Sequence, residues 1–220
     1  MLNVMINGGK GKMGLAIADI INNNPQLGLQ VVSARDMGEA VTGEKIDVII
    51  DFSLPDGARE AFAIAKQKKA AVLVGTTNLS AEFLEQMRTE TEIPVFYATN
   101  VSIGVYLFGE LIVYADKLYR GYERSMQEIH HVHKVDAPSG TAKTLASLID
   151  FPHARITSVR KGEVPGTHTL SLDTPYENIT LIHEVKQRTL LAQSAVLVAK
   201  WLAVQKPGFH SMADYVSSLK

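Results

Sequence analysis

Three histidines and a lysine stand together at His130-His131-Val132-His133-Lys134, and Val135-Asp136-Ala137-Pro138-Ser139-Gly140-Thr141-Ala142 follows directly. Histidine changes charge near neutral pH, and a lysine held beside histidines works as a second proton donor. The Ser139-Gly140-Thr141 turn leads into Ala142-Lys143-Thr144-Leu145. Ser139 or Thr141 can cap a helix there, leaving nearby amides free to take a carboxylate. Strand alternation would set His130, Val132 and Lys134 on one face and His131 and His133 on the other. His131 and His133 could instead share a metal, but Lys134 would repel the cation and no third ligand follows at helical spacing. Proton transfer next to a carboxylate-binding turn is the stronger reading, and no metal is expected. The plainer alternatives are histidines satisfied within a sheet and an ordinary capped turn.

A second group opens the chain. The apolar run Leu2 to Ile6 leads into Gly8-Gly9-Lys10-Gly11-Lys12-Met13-Gly14, after which a helix begins. Read from Gly9 the spacing is G-x-G-x-x-G, and read from Gly8 it is G-x-x-G-x-x-G. Backbone without side chains can approach a pyrophosphate, whose charge is met by amides at a helix start. Lys10 and Lys12 add positive charge; the plain alternative is a tight strand-to-helix turn. At the end of the next apolar run, Val31-Val32-Ser33-Ala34-Arg35-Asp36 places Ala34 and Arg35 near the point where a ribose-binding acid often stands. Arginine there favours a 2′-phosphate and hence NADPH, while Asp36, one step later, keeps NADH open. Asp51-Phe52-Ser53, Gly75-Thr76-Thr77-Asn78 and Ala98-Thr99-Asn100-Val101-Ser102 end three further apolar runs, so together they would line one crevice.

The elements that must position these groups are legible as patterns. Leu2 to Ile6, Leu29 to Val32, Val48 to Phe52, Ala71 to Val74 and Val95 to Ala98 read as buried strands. Leu15 to Asn22, Ala58 to Lys66 and Ala81 to Met87 read as amphipathic helices between them, with Ser80 as a cap. This alternation predicts a parallel sheet covered on both faces. From Ile103 the pattern changes: a largely apolar helix to Lys117, a strand from Ser125 to His133 and a helix from Ala142 to Ile149. Strand-like segments follow at 154–160, 167–173 and 178–185, then a helix from Thr189 to Val204. A second, mostly antiparallel layer is expected beyond a boundary near Ser102.

Composition narrows the function. In 220 residues, Lys and Arg total 22 against 23 acidic residues, so no basic field awaits a nucleic acid. The absence of cysteine removes thiolate catalysis, thiolate metal sites and disulfides, and fits a cytoplasmic protein. No apolar run is long enough to cross a bilayer, and no basic segment precedes the first strand.

The segment Glu128 to Ala142 resembles the signature of the 4-hydroxy-tetrahydrodipicolinate reductases, also called dihydrodipicolinate reductases. Gly8 to Gly14 resembles that family's G-x-x-G-x-M-G loop, and Asp51-Phe52-Ser53 its D-F-[ST]. Gly75-Thr76-Thr77 is similar to its G-T-T-G, Asn100-Val101-Ser102-Ile103-Gly104 to its N-F-S-x-G, and Gly162 to His168 to its G-x-x-x-G-x-H. The resemblance implies an α/β fold: a Rossmann-type doubly wound parallel sheet in residues 1–102 plus 189–220, and an α+β substrate-binding and tetramerisation domain in 103–188. It further implies NAD(P)H-dependent reduction of a cyclic dicarboxylate in diaminopimelate and lysine biosynthesis, by a homotetramer. His130 falls on the acid/base position, Lys134 on the proton donor, and His131, Ser139, Gly140 and Thr141 on substrate positions. Gly8, Gly9, Lys10, Gly11, Lys12, Met13, Arg35, Phe52, Ser53, Gly75, Thr76, Thr77, Ala98, Thr99, Asn100 and Val101 fall on cofactor positions. Asn78 replaces the last glycine of G-T-T-G, Val101 replaces phenylalanine, Ala34 stands where many members have an acid, and the stretches between Asp36 and Ile46 and after Asp150 are short. Two other readings are another reductase of an amino or imino acid, and a nucleotide-sensing protein without catalysis.

Overall fold

The computed structural model describes residues 1–41, 45–187 and 189–219, so part of the shortened Asp36 to Ile46 stretch lies outside the described residues. Two compact units result, one formed by Met1–Ser102 with Thr189–Lys220 and the other by Ile103–Arg188.

In the first unit the short apolar runs form β1 (Leu2–Asn7), β2 (Leu29–Arg35), β3 (Val48–Asp51), β4 (Ala71–Val74) and β5 (Pro94–Tyr97). All pair in parallel, in the order β5-β4-β3-β1-β2. Every residue of β3 and β4 is buried, as required of central strands with helices on both faces. On one face, α2 (Pro55–Lys68) and α3 (Ala81–Arg88) bring Ala58, Ala61, Phe62, Phe83 and Met87 onto Met5, Ile49, Val72 and Val95. Alternation turns Val4, Ile6, Ile50 and Leu73 to the other face, where α6 (Leu190–Leu202) packs against β3, β4 and α1 (Lys12–Asn23). Ser80 caps α3 as expected, its Oγ accepting from the Phe83 amide at 3.2 Å. The order reverses at β1, placing the ends of β1 and β3 at the switch point where open α/β sheets bind ligands.

In the second unit β6 (Glu123–His130), β7 (Thr157–Arg160), β8 (Thr167–Asp173) and β9 (Asn178–Glu184) form a sheet in the order β7-β6-β8-β9, antiparallel except for β6 with β7. Met126, Leu170 and Leu172 cluster with Phe108 and Ile112 of α4 (Ile103–Leu118) and Leu145 of α5 (Gly140–Ser147). The opposite face, with Ser125, Gln127, Thr180 and Ile182, is exposed along β6 and β9.

One expectation is corrected, and two elements are added. The strand expected to reach His133 stops at His130, because there the chain turns: the Val132 amide donates to Gly162 and the Lys134 amide to His131. A further strand, β10 (Gly208–His210), extends the first sheet beside β5, and α7 (Met212–Ser217) follows it.

Candidate active site

His130 is the last residue of β6, so its ring shares the covered face of the sheet with Glu128 and Met126. Its Nδ1 meets Glu128 Oε2 in a short contact, and the other oxygen of that buried carboxylate accepts from Arg160 Nη2 at 2.9 Å. Burial raises the Glu128 pKa, but hydrogen bonding to Arg160 and His130 opposes it, and the carboxyl is held below its usual range. Burial also lowers the His130 pKa; Lys134 and Arg160 act in the same sense, and Glu128 opposes them only in part. His168 lies edge-on to His130 at 5.4 Å between ring centroids, and His183 stacks on His168 at 5.9 Å.

Lys134 lies on the turn after β6. Its Nζ is 2.7 Å from Asp136 Oδ1, while Asp136 Oδ2 accepts from the Gly140 amide at 3.2 Å. Lys134 is the main cause holding the Asp136 carboxyl below its ordinary range. Ser139 is the N-cap of α5: it is buried, and its Oγ accepts from the Ala142 amide at 3.2 Å, so it shapes the turn. Thr141 is half-buried in the first turn of α5. His131 and His133 sit on the β6 turn with ring centroids 6.3 Å apart, rather than on a strand face. Arg160 ties these parts together: besides Glu128, its guanidinium donates to the carbonyls of Lys134 at 3.2 Å and Asp136 at 2.7 Å.

The first unit carries the glycine loop at the switch point. Gly8 has a positive φ of 80°, and a Cβ there would lie 2.5 Å from the Phe52 carbonyl oxygen. A Cβ on Gly14 would lie 2.2 Å from the Gly8 oxygen, so each glycine is required by close backbone approach. Gly11 is the N-cap of α1, which has no side-chain cap and no acid in its first turn. Its leading amides, on Lys12 and Met13, therefore suit a phosphate. The residues present fit a dinucleotide on that ground.

Asp51, buried at the end of β3, organises the neighbouring strand ends. It accepts from Asn7 Nδ2 at 2.7 Å and from the hydroxyls of Ser53 and Thr76 at 2.6 Å each. The Phe52 ring packs where a Cβ on Gly75 would clash at 2.3 Å. Thr77 and Thr99 are exposed on their loops, with Ala98 and Asn100 half-buried. Asn78 has a φ of 60°, the left-handed conformation that asparagine tolerates, so it keeps the turn where the family has glycine.

Two of the residues expected at the cofactor have buried side chains. The Arg35 side chain is 2% exposed and donates to Glu60 Oε1 at 2.8 Å, the Glu39 carbonyl at 2.8 Å and Asn7 Oδ1 at 3.2 Å. Its charge is committed inside the fold, and only its backbone carbonyl faces the loop, accepting from the Gly8 and Gly9 amides. Val101 is 1% exposed. The exposed cations of the loop are Lys10 and Lys12, and Lys10 is in short contact with Glu39 Oε1, with Asp36 at 4.0 Å.

The two units thus fit a nucleotide-dependent oxidoreductase: a dinucleotide-type fold in one, and a histidine, a lysine and a helix-start turn in the other. Comparison with known proteins supplies the family. Residues 2–101 match the description "Dihydrodipicolinate reductase, N-terminus" and residues 104–216 "Dihydrodipicolinate reductase, C-terminus". A 4-hydroxy-tetrahydrodipicolinate reductase of Campylobacter jejuni is 31% identical over 240 aligned positions, covering 98% of this chain and 99% of its own. One from Methanoregula boonei is 29% identical, with 97% of each chain covered. A dipicolinate-bound dihydrodipicolinate reductase from Paenisporosarcina sp. TG-14 superposes with a TM-score of 0.75 at 20% identity, covering 98% of this chain and 99% of that one. The chain belongs to the dihydrodipicolinate reductase family.

Arg160 and His183 escaped the sequence reading, and Glu128 and His168 entered it without a role. The role of Glu128 could have been read from its place one alternation before His130; the other three are brought in by strand pairing.

Proposed function

We propose that this protein reduces 4-hydroxy-tetrahydrodipicolinate to tetrahydrodipicolinate, a step of diaminopimelate and lysine biosynthesis, with Lys134 as the proton donor. The observation that carries the reading is the Asp136 carboxylate, held between Lys134 Nζ and the Gly140 amide. A cation and a helix-start amide that converge on an internal carboxylate suit a carboxylate of the cyclic substrate equally well.

The backbone of Gly8 to Met13 and the strand ends at Phe52-Ser53, Gly75 to Thr77 and Ala98 to Asn100 would hold NAD(P)H, which would supply the hydride for C4 of the dehydrated ring. The enamine left in the ring needs a proton at the adjacent carbon, which Lys134 delivers from its ammonium. His131 and the Ser139-Gly140-Thr141 turn orient the carboxylates. With the Arg35 side chain committed elsewhere, a 2′-phosphate is left to Lys10 and Lys12, and Lys10 must leave Glu39 to meet it. Use of both cofactors follows, with the Lys10–Glu39 pair tuning the NADPH preference. The exposed face of the second sheet supports assembly into a homotetramer, which light scattering of the purified protein tests.

The deciding experiment follows loss of NADPH or NADH absorbance with freshly made condensation product of pyruvate and aspartate semialdehyde, with and without EDTA. Oxidation that requires that product and ignores EDTA is expected. Cofactor binding without oxidation would instead mean a sensing protein, and oxidation only with other imino acids another reductase.

A further inference from the structure

Alternation and register build a polar row at one end of the covered face of the second sheet. Glu128 and His130 lie two apart on β6, His168 pairs with Glu128 across β6 and β8, and His183 pairs with His168 across β8 and β9. Glu128 has no exposed surface. A carboxylate so deeply buried is retained only when its charge and lone pairs are met. Here they are, by Arg160 on one oxygen and His130 on the other.

The pairing decides the state of the histidine. An ionised carboxylate only accepts, so the proton in its contact with His130 belongs to Nδ1. The neutral imidazole then carries its lone pair on Nε2. That atom borders Gly166, where a Cβ would lie 3.0 Å away. In this tautomer His130 can receive a hydrogen bond at Nε2 but has no proton to give there. The same Arg160 that neutralises Glu128 also holds the carbonyls of Lys134 and Asp136, and so fixes the turn that carries the lysine.

We propose that Glu128, clamped by Arg160, is the positioning residue of this site: it fixes His130 as a hydrogen-bond acceptor at Nε2 while Arg160 holds the Lys134 turn, which leaves Lys134 as the proton donor. The catalytic consequence rests on the reductase reading above; the tautomer does not. The charged and titratable groups around His130 are Glu128 on its own strand, Arg160 on β7, His168 on β8 with His183 behind it on β9, and Lys134 on the turn.

Nitrogen-15 NMR of histidine-labelled protein tests the tautomer directly. The wild type should show His130 with a protonated Nδ1 and an unprotonated Nε2 at pH 7.5. In Glu128→Gln the amide oxygen must stay with Arg160, so the amide NH2 faces His130 and should flip the ring to the Nε2–H form. Turnover should fall about tenfold or more, with cofactor affinity changed less than about threefold. Glu128→Asp should recover part of that turnover. Removing the carboxylate also lowers the His130 pKa further, so the acid limb of the Glu128→Gln rate profile should move to lower pH. A wild-type Nε2–H form overturns the proposal without any variant, as does a flipped tautomer with unchanged turnover. Wild-type protein that shows the Nδ1–H form yet reduces no substrate would refute the proposed function and leave the tautomer assignment standing.

Discussion

His168 makes the stability of the second unit depend on pH in a calculable way. The residue is 3% exposed, its ring lies between those of His130 and His183, and neither of its buried nitrogens has a hydrogen-bond partner among the described residues. Burial, reinforced by the charges of His130 and His183, lowers its pKa from an ordinary 6.5 to about 4. The unfolded chain therefore takes up a proton as pH falls through 6.5, while the folded chain resists until about 4. Stability is thus fully present above pH 6.5 and drains away between those values, which is the sign expected when the unfolded state binds more protons. At about 1.36 kcal/mol per pH unit, the loss is roughly 2 kcal/mol by pH 5 and approaches roughly 3 kcal/mol at pH 4 and below.

His168→Phe keeps a ring of similar shape and removes the titration. Because the nitrogens have no partners, the substitution strands no group and should leave stability at pH 7.5 within about 1 kcal/mol. Trp201 belongs to the other unit, so hydrogen exchange of the β8 amides is the suitable assay, with wild type and variant compared at each pH so that intrinsic exchange rates cancel. The variant should gain about 2 kcal/mol of protection relative to wild type between pH 7.5 and pH 5. Parallel curves across that range would refute the reasoning.

The other expectations concern chemistry and the cofactor. Lys134→Ala should lower turnover by about a hundredfold or more, with NADPH affinity measured by fluorescence titration nearly unchanged. Gly14→Ala places a Cβ 2.2 Å from a backbone oxygen, so the start of α1 must shift and cofactor binding in the same titration should weaken about tenfold or more. Asp136→Asn keeps an acceptor for the Gly140 amide but frees Lys134 from an internal charge, so steady-state kinetics should show a lower KM for the dicarboxylate. Glu39→Gln removes the carboxylate that holds Lys10 and should raise the ratio of kcat/KM with NADPH to that with NADH several-fold.

The parallel half of the fold was legible because its signals are local: fully apolar four-residue strands, a glycine loop, and a serine placed to cap α3. β10 was missed because three residues, Gly208-Phe209-His210, give no period to read, and they earn a place in the sheet only by pairing with β5. α7 did leave a trace, the Ser211 and Asp214 capping box. Extending β6 to His133 followed an alternation that continues on paper; hydrogen bonds to Gly162 and within the turn end it. At the site, His130 and Lys134 stood out by type and spacing. Arg35 stood out as well, but the sequence does not show that Glu60, from the helix after β3, takes up its charge. Glu128, His168, His183 and Arg160 meet through a register spanning three strand pairings, which no local pattern encodes.

Hydride delivery to the substrate ring is the central claim, and isotope transfer tests it most directly. The protein is supplied with the synthase product and NADPH dideuterated at the nicotinamide C4, and the reduced product is analysed by mass spectrometry and NMR. One deuterium at ring C4, with none there when unlabelled NADPH is used in heavy water, is the predicted result. Cofactor oxidation that leaves no label on the ring, or a C4 hydrogen drawn from solvent, would contradict it.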